Sequence, residues 1–246
     1  MISSDLNDLL TQIAKRIRGE AMVDYLSNIR NGYRRLRDFA KRIRHQTFSR
    51  NGSDNSEPRY SPEDKSRLPD RKRWGDPKSY NPLWSGRAEM ASGLIPDGAS
   101  ILEIGVGAGD FRNCVQGRCS YEGADLAPLE DTTLILNLDT DPLPNKRYDY
   151  VVLLGVIEYL YEPENAARKV CTAASNVVCS YCCRLENASV ADVADQRRSM
   201  GWVNDFTRDE FVALFAANGF AVQSSSIYNK TESFEQALLH FKKLRR

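Results

Sequence analysis

Seven residues constrain this chain more than any others: Glu103-Ile104-Gly105-Val106-Gly107-Ala108-Gly109. They follow an apolar strand-like run, Ser100 to Ile104, and lead into a stretch that reads as helix. Three glycines spaced two apart let the backbone turn tightly, and no Cβ stands between the main chain and a ligand. Strand, glycine turn and helix together are the opening unit of a parallel α/β sheet, with the ligand at the strand's carboxyl end. A dinucleotide fingerprint would place a further glycine at the sixth position from Gly105, and Asp110 stands there. An acid at that point repels a pyrophosphate, so the turn suits a ligand that lacks one.

The flanking pattern supports the same architecture. Further strands are expected at 121–125, 133–138, 148–154 and 176–180. The 148–154 run is almost wholly apolar, which implies burial on both faces. Helices are expected at 85–94, 163–174 and 208–218, the last stopped by Asn218-Gly219. Two closing strands, 221–228 and 233–242, lie close enough to pair antiparallel. Strands alternating with helices define an α/β domain.

The 246 residues suit one or two domains, and the charge is divided unevenly. Residues 1–75 carry 17 Lys+Arg against 10 Asp+Glu, while the remaining 171 carry 17 against 23. Residues 1–45 show an apolar stripe (Met22, Leu26, Ile29, Tyr33, Leu36, Ala40, Ile43) among many arginines and read as a basic amphipathic helical extension. That extension is a candidate contact for an anionic membrane surface or a protein partner. Residues 46–75 are a polar linker, and 76–246 form the body. The longest apolar run, Val151 to Ile157, is far shorter than a spanning helix. The acid-bearing start MISSDLNDLL does not resemble a secretory signal, so a cytoplasmic location is expected. The six cysteines are then expected as buried thiols, and with only His45 and His240 present no metal site is expected.

The acidic-x-Gly-x-Gly-x-Gly pattern, with Glu103, Gly105, Gly107 and Gly109 all matching, resembles motif I of the class I S-adenosylmethionine-dependent methyltransferases. Four further segments extend the resemblance across residues 80–245. Asp125, followed by Leu126, stands where that family holds the ribose hydroxyls. Leu138-Asp139 before Leu143-Pro144 resembles the segment that meets the adenine. Tyr148-Asp149-Tyr150-Val151-Val152 resembles the fourth-strand pattern and leads to Leu154-Gly155. Glu158-Tyr159-Leu160 resembles the post-strand Glu-His-Leu element, with tyrosine in place of histidine.

The resemblance implies a Rossmann-like, seven-stranded, mostly parallel sheet with an antiparallel last strand, and S-adenosyl-L-methionine as cofactor. It implies that Trp84 and Arg87, near Tyr80, cover the cofactor's methionine end. Candidate proton-handling residues are Glu158 and Tyr159, with His240 a weaker third. Arg197, Arg198 and Trp202, in the long stretch 184–205, are candidate acceptor contacts for a small-molecule or glycan-type substrate. A contrasting reading is a catalytically inactive cofactor-binding protein recruited through its basic helix. Nucleic acid is disfavoured as substrate, because the body is acidic and lacks an Asn/Asp-Pro-Pro-Tyr/Phe tetrad.

Overall fold

The computed structural model describes residues 71–76, 79, 84–127 and 133–244. By its contacts the chain divides into Met1–Asn55 and Ser56–Arg246, and all described residues belong to the second unit. The helical extension 1–45 and residues 46–70 of the expected linker lie outside the described residues.

In chain order the elements are α1 (Arg71–Trp74), α2 (Trp84–Ser92), β1 (Ser100–Ile104), α3 (Asp110–Val115), β2 (Ser120–Asp125), β3 (Leu134–Ile135), β4 (Tyr148–Leu154), a 3-10 turn (Ile157–Tyr159), α4 (Pro163–Ala173), β5 (Ala174–Arg184), α5 (Val190–Met200), α6 (Arg208–Ala216), β6 (Phe220–Lys230) and β7 (Phe234–Lys243). One seven-stranded sheet runs in the order β3-β2-β1-β4-β5-β7-β6. All neighbouring pairs are parallel except the two made by β7. The order reverses direction between β1 and β4, and a crevice opens at the carboxyl ends of these two strands.

The core explains the uninterrupted apolar run of β4. Val151 and Leu153 pack on one face with α4 and α6, against Val170, Phe211 and Phe215. Val152 and Leu154 pack on the other face with α2 and α3, against Ala88, Ala91 and Phe111. Each such large side chain contributes roughly 1.5–3 kcal/mol on burial. Pro163 opens α4 at a position where its missing N–H costs nothing. A capping box opens α6: the Glu210 N–H donates to Thr207 Oγ1 (3.3 Å), and the Thr207 N–H donates to Glu210 Oε2 (2.9 Å).

Three sequence expectations shift. The third strand is only Leu134–Ile135, not 133–138, because β2 ends at Asp125, opposite Ile135, and the pairing stops there. Leu136 and Leu138 still reach the core. The fifth strand is longer than expected, because β7 pairs with it as far as Arg184 opposite Phe234. Cys182 and Cys183 therefore sit within a strand, buried and free, as are Cys171 and Cys179. Finally, α1 falls at the end of the expected linker and joins the site described next.

Candidate active site

The glycine turn adopts the backbone that its residues permit. Gly105, Gly107 and Gly109 have φ of 85°, 54° and 83°. A Cβ on Gly105 would lie 2.4 Å from Val156 Cγ2, so the turn after β4 closes directly on the turn after β1. Asp125, at the end of β2, holds this loop. Its Oδ2 accepts from the Gly107 N–H (2.9 Å) and its Oδ1 from the Leu126 N–H (2.6 Å). Burial raises its pKa, and these backbone donors oppose the rise.

Glu103 sits beneath the loop and is almost fully buried. The Tyr121 hydroxyl donates to its Oε2 at 2.5 Å. Gly123 lies opposite Glu103 in the β1–β2 register, and a Cβ there would fall 2.8 Å from the Tyr121 hydroxyl. The glycine thus leaves room for the tyrosine to reach across. Burial pushes the Glu103 carboxyl up to about 8, with the nearby charge of Asp125 adding to the effect and the Tyr121 bond opposing it. Tyr121 is a partner of Glu103 that sequence reasoning missed.

Beyond β3, Leu136, Asn137, Leu138 and Asp139 line one end of the crevice. The Asp139 oxygens accept from the Tyr161 N–H (3.2 Å) and the Glu162 N–H (3.0 Å), which fixes the entry to α4. Its carboxylate therefore anchors the wall as well as facing the space.

The other end is aromatic. Trp84, Arg87, Leu154, Gly155, Glu158, Tyr159 and Trp202, all anticipated from sequence, line one cavity of about 1310 Å³ with the glycine loop. The Arg87 guanidinium lies over Trp84 at 5.4 Å, and a Cβ on Gly155 would sit 2.7 Å from its nitrogen. Glu158 Oε1 accepts from the Cys182 N–H (2.9 Å), while its buried Oε2 has no partner among the described residues. Burial raises the Glu158 pKa against the nearby positive charges of Arg87 and Arg197. Tyr159 meets Trp74 edge-on at 4.9 Å; burial pushes its phenol up. Arg73, Trp74 and Tyr228 also line this end, and none was anticipated. The β6–β7 register shifts between Ile227 and Asn229, and Tyr228 is the residue skipped. Such a bulge re-aims a side chain, a signal that only strand pairing reveals.

The structure places Arg197 behind this wall, away from the cavity lining. It is 4% exposed, and its guanidinium donates to the carbonyls of Asn204 (2.5 Å) and Cys182 (2.8 Å). It also stacks over Trp202 at 5.3 Å. Buried in this way, Arg197 supports Trp202 from behind. The Arg198 side chain lies outside the described residues. His240 faces Asn176 (3.1 Å) and Tyr150, near the start of β5, and is absent from the cavity lining. Among the described residues, no group of His, Cys, Asp and Glu is arranged to hold a metal ion.

A parallel sheet closed by an antiparallel β7, with a glycine turn and a carboxylate at its switch point, defines a Rossmann-like methyltransferase-type fold. A family model described as a methyltransferase domain matches residues 79–225, more than half of the chain. The protein belongs to the class I S-adenosylmethionine-dependent methyltransferases. No curated protein matches it in sequence.

Solved structures share the fold at low identity. Magnesium protoporphyrin IX methyltransferase from Synechocystis PCC 6803, with bound SAH, is 13% identical with a TM-score of 0.51, covering 71% of this chain and 92% of that one. The same enzyme with bound SAM is 12% identical at 0.51, covering 73% and 99%. The [4+2]-cyclase SpnF is 10% identical at 0.53, covering 65% and 80%.

Proposed function

We propose that this protein transfers a methyl group from S-adenosylmethionine to an oxygen or nitrogen of a small-molecule or glycan-type acceptor. The observation that carries the reading is a single cavity with two unlike halves. One is built from the glycine loop, Asp125 and the 136–139 segment, and the other is an aromatic chamber beyond Gly155. Its volume exceeds the roughly 300–1,000 Å³ of a site for one ligand, as a cofactor and an acceptor together require.

The residues present fit the cofactor. Asp125 keeps lone pairs for two ribose hydroxyls while its oxygens hold the loop. Gly105 and Gly107 leave their backbone open for close approach. Arg87, whose buried Nε has no partner among the described residues, matches a carboxylate at the methionine end. When bound, the cofactor supplies an electrophilic methyl on sulfur, and the protein's part is orientation and proton handling. Glu158 takes the acceptor's proton at Oε2. A carboxyl raised by burial is a better base than an exposed one. Tyr159, with its pKa pushed up, stays protonated and orients the acceptor through its hydroxyl.

The test is incubation of the full chain with methyl-labelled S-adenosylmethionine and a fractionated pool of small molecules and glycans. Release of S-adenosylhomocysteine with label in a product is expected. Replacing Glu158 with Gln is expected to lower kcat by about 10²- to 10⁴-fold. Cofactor binding without any labelled product would favour the inactive partner reading. The SpnF comparison shows that the fold also serves a protein named as a cyclase.

A further inference from the structure

The chain has three tryptophans, and all three line this one cavity. Trp74, Trp84 and Trp202 stand at the end away from the 136–139 segment, with Tyr159 and Met200. Their rings are fixed by neighbours: Trp74 against Tyr159, Trp202 by Arg197 and by Phe234 (6.2 Å). A rigid aromatic wall favours a flat partner, because stacking gains contact area without ordering either surface further.

Charge divides along the same line. Among the described residues, four of the five acids lining the cavity, Glu103, Asp110, Asp125 and Asp139, belong to the glycine-loop half, whereas both lining arginines, Arg73 and Arg87, belong to the aromatic half. Among the described residues the one carboxylate in the aromatic half is Glu158, which is buried; its Oε1 accepts from the Cys182 N–H, and its Oε2 is kept for the proton the acceptor gives up. With Arg87 paired to the cofactor's carboxylate, an ammonium group there would still face the Arg73 guanidinium. A sugar would need several polar partners for its hydroxyls, and the Asn229 carboxamide already donates to Gln236 Oε1 (3.4 Å), which takes part of what that side offers. With Arg87 turned to the cofactor, Arg73 is the cation beside the rings. Its guanidinium lies 4.7 Å from the Trp74 ring and donates to the Met200 carbonyl (3.0 Å).

We infer that the acceptor is a flat aromatic ring bearing an anionic oxygen group, the ring lying among the tryptophans and the anion toward Arg73. This rests on the methyltransferase reading above and narrows its substrate class.

The test titrates the full chain, saturated with S-adenosylhomocysteine, with 4-nitrobenzoate, 4-nitrobenzylamine, 4-nitrobenzyl alcohol and methyl glucoside. Calorimetry gives affinity, and tryptophan emission reports occupancy because no tryptophan lies elsewhere. The benzoate is expected to bind at least about tenfold more tightly than the amine and the alcohol. Arg73→Gln is expected to erase that preference, and Arg73→Lys, which keeps the charge, to retain most of it. Equal or tighter binding of the amine would overturn the inference. So would binding of the glucoside alone, or a preference that survives Arg73→Gln. Failure of S-adenosylhomocysteine to bind in the first step would instead overturn the cofactor assignment itself.

Discussion

Replacing Asp125 with alanine is expected to weaken S-adenosylhomocysteine binding by about 150-fold. The figure comes from two ribose hydroxyls donating to a charged carboxylate, at about 1.5 kcal/mol each, or about 3 kcal/mol together. The structure complicates a single measurement, because the same carboxylate accepts from the Gly107 and Leu126 N–H groups. Its loss also loosens the loop, and looser binding could follow with no ribose contact at all. A double-mutant cycle separates the two effects. Calorimetry on both proteins compares S-adenosylhomocysteine with an analogue that lacks both ribose hydroxyls. The wild type is expected to prefer the natural ligand by about 150-fold, and the alanine variant to bind the two alike. If the variant loses the same factor for both ligands, Asp125 acts only through the loop and the reasoning is refuted.

Glu103→Gln tests the buried carboxyl. Its folded pKa, about 8, lies above the ordinary 4.5, so its protonated form favours folding. That contribution is full below pH 4.5 and is lost as pH rises toward 8, because the folded state binds the extra proton. Wild-type Tm is expected to fall over this range more steeply than that of the glutamine variant, measured by calorimetric melting across pH. Arg197→Ala unpairs two buried carbonyls and leaves a void against Trp202; at about 1–3 kcal/mol per unpaired group, urea unfolding is expected to show a loss of about 2–6 kcal/mol. Gly105→Ala puts a Cβ against Val156 at a φ of 85°. Adding Val156→Ala is expected to recover part of the lost cofactor affinity, leaving a backbone strain of about 1–2 kcal/mol visible in the melting temperature.

The legible parts of the site were those carried by short-range chemistry. A strand followed by three alternate glycines names its turn, and Asp125 follows at the length of one helix and one strand. β4 was legible because both its faces are buried and every residue but Asp149 reports the same environment. The β3 segment misled because Leu136 and Leu138 serve the core from outside the sheet. Arg197 misled for a related reason. An arginine beside a tryptophan reads as a binding pair, and only the packing shows the guanidinium turned to backbone carbonyls.

The sequence alone determined the fold family, the glycine cradle and the carboxylate that closes it, since each depends on residue type at fixed local spacing. Tertiary structure decided how the far half of the cavity is assembled: Trp84, Tyr159 and Trp202 are legible as candidates, whereas Arg73, Trp74 and Tyr228 join them only through packing. Trp74, Trp84, Tyr159, Trp202 and Tyr228 come from five separate segments, and Tyr228 enters through a skipped residue in strand pairing. Contacts between distant segments are set by how helices and strands pack, and local sequence pattern carries no record of that packing.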